Sequence, residues 1–325
     1  MNGPHGKSRW ILMALVGWLV GCAGEVAEEE GLPGDPDLFV SQDSVRIMAE
    51  LRVLAHDSME GRRTGEPGNV KSREFIAMAF REAGLHEPPG GWVQPFEFRG
   101  RRDSTTVIPG ANVVGFVPGT DPGAGAMILT AHFDHEGVRE GEVYNGADDN
   151  ASGTVGLMSM ARYVAAHPLR HTAVFAALDA EEMGLRGARA FVEAGWPVEM
   201  ALNVNMDMIS RSDSLLFAAG TYHYPHLRPI LESVRARPPV VLAFGHDEPG
   251  VEGVQDWTGS SDHAPFHDQG VPFVYFGVED HPDYHQPTDD VEAIDPSFYM
   301  NAIRSVLASV LALDQELAPA GAGGG

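Results

Sequence analysis

Acidic and histidine side chains recur near short apolar runs of this sequence, most of them just after a run ends. The groups are His132 with Asp134, Asp148 with Asp149, Glu181 with Glu182, Asp207, and His285 with Asp289. Imidazole nitrogens and carboxylate oxygens, with no thiolate among them, suit zinc and, less well, manganese or cobalt. Taken singly, an acidic pair is typical of a solvated loop and a lone histidine of a core or surface position. Their recurrence after successive apolar runs favours a metal centre, and the spacing alone leaves open whether that centre is dinuclear.

The elements that must position these groups alternate between strands and helices. The apolar patterns predict buried strands at 127–131, 172–178, 201–204 and 271–276, and amphipathic helices over about 43–56, 76–83, 157–164 and 303–310. Asp295 and Pro296 are typical of the N-cap and the first residue of the last helix. The alternation predicts an α/β fold, a three-layer sandwich with a central mixed, largely parallel sheet flanked by helices. In such open sheets, sites form outside the carboxyl ends of the strands, where these polar groups lie.

Composition and charge exclude several classes of protein. The chain has 325 residues, of which 46 are Asp or Glu and 22 are Lys or Arg, for a formal net charge of -24. Such an acidic chain repels nucleic-acid phosphates, so we expect no nucleic-acid partner. The single cysteine, Cys22, excludes an intrachain disulfide framework and a cysteine-based zinc site. A metal centre must therefore use histidines and carboxylates.

The first residues predict export. Lys7 and Arg9 precede an apolar run at 10–20, which is short for a membrane span but suits the core of a signal peptide. The run ends at Gly21 and Cys22 and resembles a bacterial lipoprotein signal, in which the cysteine becomes the acylated N-terminus. Lipid chains on Cys22 would anchor the protein to a bacterial membrane. In a Gram-negative cell we expect the outer membrane, facing the periplasm.

The rest of the chain predicts one domain between two tails. The expected segments are a lipoprotein signal peptide at 1–21, a flexible acidic, Pro- and Gly-rich tether at 22–40, a folded domain at 41–315 and a disordered tail at 316–325.

Five ordered motifs resemble the dizinc aminopeptidases of metallopeptidase family twenty-eight, which include bacterial leucyl aminopeptidases, aminopeptidase S-like enzymes and glutaminyl cyclases. The motifs are His132-x-Asp134, Gly146-Ala-Asp-Asp149-Asn-Ala-Ser-Gly, Glu181-Glu182-x-Gly-Leu, Asn205-x-Asp207-Met and Tyr284-His285-x-Pro-x-Asp289. The segment 54–65 also resembles the N-terminal part of the family, and the likeness covers about 45–312. The resemblance implies a zinc exopeptidase-like fold and makes 41–315 a zinc aminopeptidase catalytic domain.

The resemblance implies a ligand set for two zinc ions, with manganese or cobalt as alternatives. Asp149 bridges both ions, Glu182 and His285 complete the first site, and His132 and Asp207 complete the second. Asp148, the neighbour of the bridging aspartate, receives no ligand role.

Two further carboxylates carry the catalytic roles that the resemblance implies. Asp134 hydrogen-bonds the far nitrogen of His132 and fixes its tautomer. Glu181 is the general base, which takes a proton from the attacking water and delivers it to the leaving amine. The cis peptide bond of the family falls directly after Asp149. The implied reaction is hydrolysis of the N-terminal bond of peptides that have a free N-terminus.

Two other functions stay open. The first is a glutaminyl cyclase-like acyltransferase, and the second is a non-catalytic lipoprotein that binds metal or peptide. Cyclases of the family use one zinc, so the presence of both His132 and Asp207 favours the aminopeptidase. The complete ligand set argues against a binding module.

Some questions have no answer in the sequence. The preferred N-terminal residue, the physiological substrate, the metal bound in vivo and the oligomeric state are open. So are the roles of Asp148 and Asp262. We expect His135, His263 and His281 to form pocket walls or hydrogen bonds rather than to bind metal.

Overall fold

The computed structural model describes residues 1, 3, 34–100 and 105–317. The predicted signal-peptide core at 10–20, Cys22 and the segment 318–325 lie outside the described residues. Within 34–100 and 105–317, no helix combines the length and the apolar composition that crossing a membrane requires.

An eight-stranded sheet forms the centre of the described chain, beside a small separate hairpin. In chain order the strands are β1 (Val93–Arg99), β2 (Val107–Val117), β3 (Ala126–His132), β4 (Gly137–Arg139), β5 (Glu142–Tyr144), β6 (Thr172–Leu178), β7 (Met200–Met206), β8 (Leu215–Ala219), β9 (Val241–Phe244) and β10 (Phe273–Gly277). The large sheet has the order β1-β2-β6-β3-β7-β10-β8-β9, and β4 pairs with β5.

The middle of the large sheet is parallel. Strands β6, β3, β7 and β10 run in one direction, whereas β1 pairs antiparallel with β2, β2 with β6, and β8 with β10. The prediction of a mixed, largely parallel sheet is therefore confirmed. The predicted strand at 172–178 coincides with β6. The boundaries of the other three predicted strands lie within two residues of the boundaries of β3, β7 and β10.

Helices cover both faces of this sheet. They are α1 (Pro36–Leu54), α2 (Pro67–Glu82), α3 (Gly153–Ala166), α4 (Arg186–Ala194), α5 (Arg228–Glu232), α6 (Ala264–Asp268) and α7 (Pro296–Glu316). Alternate residues of each central strand enter opposite layers, as a pleated strand requires. Met127 and Leu129 of β3 join the core under α1, α2, α3 and α7, while Ile128 joins a second core with Phe191 of α4 and Phe266 of α6. The three-layer sandwich is confirmed.

The first helix begins earlier than the predicted 43–56. Pro36 is its first residue, and the side chain of Asp35 accepts a hydrogen bond from the backbone N–H of Asp37 at 2.8 Å. An aspartate N-cap followed by proline is a strong helix start. Residues 36–40, which the sequence analysis assigned to the tether, are therefore helical. The same signal at Asp295 and Pro296 starts α7, as predicted, and α7 extends to Glu316.

Candidate metal centre

The parallel strands bring several of the predicted site residues to one edge of the sheet. His132 is the last residue of β3 and pairs in register with Leu178, the last residue of β6. Glu181 and Glu182 follow β6 after a two-residue gap, and Asp207 directly follows β7. The carboxyl ends of neighbouring parallel strands lie at a common edge, and this edge is where open α/β sheets hold their sites.

Asp149 reaches the same edge from the loop before α3. Residues Ala147–Ser152 form an irregular turn with non-helical backbone at Asp149 and Asn150, and the peptide bond between these two residues is cis, as the resemblance implies. The side-chain amide of Asn150 donates to the carbonyl oxygen of Met206 at 2.9 Å, and its oxygen accepts from the N–H of Gly153 at 2.9 Å. The first bond fastens the loop to the end of β7, and the second closes the loop onto the start of α3.

The two carboxylate oxygens of Asp149 face two different sets of donor atoms. Nε2 of His132 lies 3.4 Å from Oδ1 of Asp149 and 3.2 Å from Oδ1 of Asp207. Nε2 of His285 lies 3.0 Å from Oδ2 of Asp149 and 3.3 Å from Oε2 of Glu182. The structure therefore brings together all five predicted metal-binding residues, with Asp149 between the two sets.

The spacing and chemistry of these donors fit zinc. Ligands that lie about 2.0–2.1 Å from a tetrahedral zinc ion are about 3.3 Å apart from one another, and the four distances above range from 3.0 to 3.4 Å. Burial and the neighbouring carboxylate of Glu182 raise the pKa of Asp149, because each disfavours a further negative charge. A divalent cation offsets that cost, so the residues present fit a metal centre.

His135 reaches the second donor set from the side. Its Nδ1 lies 2.8 Å from Oε1 of Glu182 and 3.7 Å from Oδ2 of Asp149. Burial alone raises the pKa of Glu182, but hydrogen bonds from His135 and His285 outweigh burial and hold that pKa well below its usual value. His135 therefore lies at hydrogen-bonding distance from the carboxylate, and together with Asp149 and Glu182 it also forms a group of donor atoms that could hold a metal ion.

Glu181 faces a cleft beside the donor atoms. Ala180 has a φ of 60°, in the left-handed region, and the carbonyl of Glu181 accepts hydrogen bonds from the N–H groups of Gly184 and Leu185 at 2.7 and 3.0 Å. This tight turn separates the carboxylate of Glu181, which lines the cleft, from that of Glu182. Burial raises the pKa of Glu181 well above its usual value, and the charge of Glu182 adds to the shift.

Asp134 makes a different contact from the predicted one. Nδ1 of His132 lies 3.1 Å from the backbone carbonyl oxygen of Asp134, whereas the nearer carboxylate oxygen is 3.7 Å away. The carboxylate instead accepts from the backbone N–H of Glu181 at 3.0 Å and from the hydroxyl of Thr64 at 3.3 Å. The chain turns after β3, so the carbonyl orients the histidine while the carboxylate holds the turn that carries Glu181.

Asp148 points away from the donor sets. Its Oδ1 accepts hydrogen bonds from the N–H and the hydroxyl of Ser210 at 2.8 and 2.6 Å, and its Oδ2 lies 3.2 Å from Nε2 of His281. The carboxylate of Asp289 accepts from the N–H of Asp148 at 3.1 Å and from that of Asp149 at 3.0 Å. Asp289, the last residue of the fifth motif, therefore positions Asp149 by accepting hydrogen bonds from the backbone of Asp148 and Asp149.

Arg62 has a structural role that the sequence analysis did not identify. Its guanidinium is fully buried and donates to the carbonyl oxygens of Leu54, Phe133, Asn145 and Gly146, at 2.5–2.9 Å. Burial lowers its pKa to about 10, so the cation persists at neutral pH. One side chain thus ties the loop after β3 to the loop of the central aspartate. The sequence signal that could have identified this role was the position of Arg62 inside the segment 54–65, which resembles the N-terminal part of the family.

Glu136 is a second residue that the sequence analysis missed. Its Oε1 lies 3.9 Å from Nδ1 of His285, on the side of the ring opposite the donor set. It also forms ion pairs with Arg63 and Arg139. The 3.9 Å contact is too long for a hydrogen bond, and Glu136 also forms, with Glu182 and His285, a group of donor atoms that could hold a metal ion. No motif marked this residue.

Asp262 and His263 are both fully buried and lie outside the donor sets. Nε2 of His263 donates to the carbonyl oxygen of Trp257 at 2.9 Å, and burial lowers the pKa of this histidine to about 4. Burial raises the pKa of Asp262 to about 8, and the charges of Asp134 and Asp207 contribute. His263 therefore makes the hydrogen bond expected for it instead of approaching the donor atoms.

A narrow cleft of about 60 Å³ opens beside the donor atoms. Its walls are His132, Asp149, Glu181, Asp207, Met208, Gln255, Trp257, Ser260, Tyr275, Val278, Asp280, Tyr284 and His285. The metal-binding edge forms one side of the cleft, and the segment 255–285 forms the other.

The chain is similar to known peptidases in sequence and in fold. It is 30% identical over 202 residues to Aminopeptidase YwaD of Bacillus subtilis, a match that covers 57% of this chain and 40% of that protein. The chain spans less than half the length of the curated relatives it matches.

Two solved structures share the fold. An aminopeptidase from Aneurinibacillus sp. strain AM-1 matches with a TM-score of 0.68 at 16% identity, over 84% of this chain and 95% of that one. The glutaminyl cyclase of Fimbriiglobus ruber matches with a TM-score of 0.66 at 19% identity, over 87% and 97%. Both catalytic types therefore occur on this architecture.

The family itself is shown by the sequence. The model of Peptidase family M28 matches residues 112–310, which is more than half of the chain and includes all five donor residues as well as Asp134 and Glu181. The chain therefore belongs to peptidase family M28.

Proposed function

We propose that this protein is a zinc-dependent aminopeptidase that hydrolyses the N-terminal bond of peptides with a free N-terminus. The observation that carries the proposal is the position of Asp149, whose two oxygens face two donor sets beside a cleft that Glu181 lines. The similarity to Aminopeptidase YwaD supports the choice of peptide substrates.

The proposed ligands follow the two donor sets. His132 and Asp207 would hold one zinc ion, Glu182 and His285 would hold the other, and Asp149 would offer one carboxylate oxygen to each. The spacing of these donor atoms and the absence of a cysteine among the described residues support zinc bound by histidine and carboxylate.

The chemistry divides between the ions and the side chains. When bound, the ions supply Lewis-acid polarisation of the scissile carbonyl and make the attacking water more acidic. Glu181 accepts a proton from that water at its carboxylate and then donates it to the nitrogen of the leaving amine. Asp134 keeps Glu181 in place through the hydrogen bond to its backbone N–H.

The cleft explains why cleavage is confined to the end of a peptide. It is narrow, with the metal-binding edge on one side and the segment 255–285 on the other. The carboxylate of Asp280, which lines the cleft and is outside the proposed ligand set, attracts the positively charged α-ammonium group of a free N-terminus. An acetylated N-terminus lacks this charge.

Metal content and hydrolysis together test the proposal. Metal-stripped protein is titrated with zinc, bound metal is measured by mass spectrometry, and aminoacyl amides are compared with their N-acetylated counterparts. We expect two zinc ions per chain and hydrolysis of the free amines only. Cyclisation of an N-terminal glutamine without amide hydrolysis would assign a glutaminyl cyclase-like activity instead. Metal binding without any turnover would leave a binding lipoprotein.

We also propose that Cys22 is acylated and anchors the protein to a bacterial membrane after export. The basic residues, the apolar run at 10–20 and the single cysteine at its end support this. Cys22→Ala is expected to abolish both fatty-acid labelling and recovery in the membrane fraction. Unchanged membrane recovery of this variant would contradict the proposal.

A further inference from the structure

A second cavity, which we call the outer cavity, lies next to the cleft and outside the donor sets. It holds about 770 Å³, within the usual size of a pocket for a small ligand. Glu279 is part of its wall, whereas the residues before and after it, Val278 and Asp280, are part of the wall of the cleft. His246, also in the wall of the outer cavity, stacks on Trp257 in the wall of the cleft, with ring centroids 3.7 Å apart. The two hollows are therefore direct neighbours.

Much of the lining of the outer cavity is aromatic or branched. The side chains concerned are Phe217, Tyr222, Phe244, Val251 and Val254. Tyr222, Val251 and Val254 are exposed, so the cavity opens to solvent. Such a lining holds the methylene groups of a ligand, and aromatic faces also attract cations.

Two carboxylates of the lining are left for a ligand. Glu248 and Glu279 both line the cavity, and Glu248 has no ion-pair partner among the described residues. Arg228 is a cation in the same wall, but its Nε lies 2.8 Å from Oε1 of Glu232 and its guanidinium lies over the ring of Phe244 at 4.8 Å. The charge of Arg228 is thus offset outside the lining, and the cavity keeps an excess of negative charge.

His246 presents a free acceptor atom to this excess of negative charge. Its side chain is only 7% exposed. Nδ1 lies 3.0 Å from the carbonyl oxygen of Gln255, and because a carbonyl can only accept, Nδ1 carries a proton. In the neutral ring Nε2 is then an acceptor, and it lies 3.4 Å from Oε1 of Glu279. Two acceptors face each other there, so the N–H groups of a cation would satisfy both.

The loop that carries His246 is fastened to the rest of the molecule. Asp247 is buried, and its Oδ2 accepts hydrogen bonds from the N–H groups of Gly220 and Tyr222, just after β8, at 2.6 and 2.8 Å. The N–H of Trp257 donates to the carbonyl oxygen of His246 at 2.6 Å. The acceptor is therefore held in place before a ligand arrives, which lowers the cost of ordering the site.

We propose that the outer cavity binds an alkylammonium or guanidinium group, the side-chain chemistry of lysine and arginine. The charged end lies between Nε2 of His246 and the carboxylates of Glu248 and Glu279, and the methylene groups lie along the aromatic lining. Hydrogen bonds between a cation and a carboxylate are stronger than those between neutral groups.

Two sources can supply this group. A peptide whose N-terminus occupies the cleft can place the side chain of a following residue in the outer cavity, because the segment 278–280 borders both hollows. A free organic cation can enter from solvent. The first source rests on the proposed aminopeptidase function, whereas binding of the cation does not.

Blocked amino acids test the site without turnover. N-acetyl-lysinamide and N-acetyl-norleucinamide both lack the α-ammonium group that the cleft would attract, and only the first carries a charge at the end of its side chain. Each is titrated into zinc-loaded protein and followed by NMR at about pH 8, where an ordinary imidazole is neutral. We expect the lysine compound to bind at least about tenfold more tightly, as for a hydrogen bond to a charged group. Equal binding of the two compounds, or no binding of the lysine compound, overturns the proposal.

Glu279→Gln locates the site. The variant keeps the volume of the side chain but loses its charge, so we expect the affinity for N-acetyl-lysinamide to fall by about threefold, as for the loss of a partly exposed ion pair. Adding Glu248→Gln is expected to increase the loss to about tenfold. Glu252→Gln is the matched control, because Glu252 is exposed on the same loop and is not part of the cavity wall. An equal fall in Glu279→Gln and Glu252→Gln would report net charge alone and would overturn the proposal.

Substrate peptides distinguish the two sources of the cation. Alanyl-lysinamide and alanyl-alanyl-lysinamide are each compared with their norleucine counterparts by kcat/KM. If the substrate supplies the cation, we expect one of the lysine peptides to be preferred by about fivefold, and Glu279→Gln to reduce that preference. Equal kcat/KM values beside charge-dependent binding assign the site to a free cation. Failure to hydrolyse any of these peptides overturns the aminopeptidase proposal, and the binding titrations still decide this one.

Discussion

The two ends of the central sheet both bury carboxylates, but they treat them in opposite ways. At the amino end, Asp314 of α7 accepts hydrogen bonds from the N–H of Arg170 and from the N–H and Nδ1 of His171, at 2.8–2.9 Å. At the carboxyl end, Asp149 and Asp207 direct oxygens toward the ring of His132 at 3.2–3.4 Å, beside other carboxylates. The carboxylate of Asp314 is therefore saturated by hydrogen-bond donors, whereas the carboxylates of Asp149 and Asp207 point toward a common space.

The pKa directions separate the two ends. Burial raises the pKa of both buried aspartates, but at Asp314 the hydrogen bonds from His171 and Arg170 outweigh it and hold the pKa below its usual value. At Asp149 burial and Glu182 together leave the pKa raised. Buried carboxylates that protein donors satisfy therefore stabilise the fold, whereas buried carboxylates that face one another need a shared proton or a cation to offset their charges. This contrast predicts which variants change activity and which change stability.

The largest effect is expected at Glu181, which faces the cleft without belonging to a donor set. Glu181→Gln keeps the volume of the side chain but cannot accept a proton, so we expect kcat to fall by about 10²–10⁴-fold with little change in KM. Metal content, measured beside kcat, is expected to stay unchanged. Glu182→Gln is the adjacent comparison, and it is expected to lose metal. A Glu181→Gln variant that loses metal, or that retains near-normal turnover, would sink the assignment.

An intermediate effect is expected at Asp289, which lies at the carboxyl end but is satisfied by backbone donors. Asp289→Asn leaves one oxygen for the N–H groups of Asp148 and Asp149, so the loop of the central aspartate loosens. We expect metal affinity to fall by about 10–100-fold, as for other residues behind a ligand, in a competition assay with a chelator. Asp268→Asn, at an exposed position, should bind metal normally. Unchanged affinity in Asp289→Asn would contradict the positioning role.

The smallest effect is expected at the amino end and should not touch the metal. Asp314→Asn removes a charged acceptor, so we expect the free energy of unfolding at neutral pH to fall by about 1–3 kcal/mol. Because the folded-state pKa of Asp314 lies below the usual 3.8, its contribution is complete above that value and is lost as pH falls through the folded pKa. Urea denaturation of both proteins from pH 7 to pH 3 should show the difference shrinking. A difference that does not shrink as the pH falls below 3.8, or altered metal affinity, would break the comparison between the two ends.

Much of this protein followed from local sequence signals. Apolar runs located the four parallel strands to within two residues, because fully buried strands need continuous apolar residues. The Asp-Pro cap located the start of α7. The same cap at Asp35 and Pro36 marks the start of α1, but the acidic composition of 22–40 had favoured a tether there. The five motifs named the donor residues, because metal binding restricts residue type at fixed places in the chain.

Contacts between distant segments were decided only by the tertiary structure. Arg62 binds carbonyl oxygens up to 84 positions away. Every residue has a backbone carbonyl that can accept a hydrogen bond, so the residue types of its partners give no sign of this contact in the sequence. The contact of Asp134 with the N–H of Glu181 depends on how two strand ends face each other. The stacking of Trp257 on His246 depends on how the chain between β9 and α6 folds back on itself. Sequence specifies residue types and local periodicity, whereas distances between loops arise only when the sheet has brought its strand ends together.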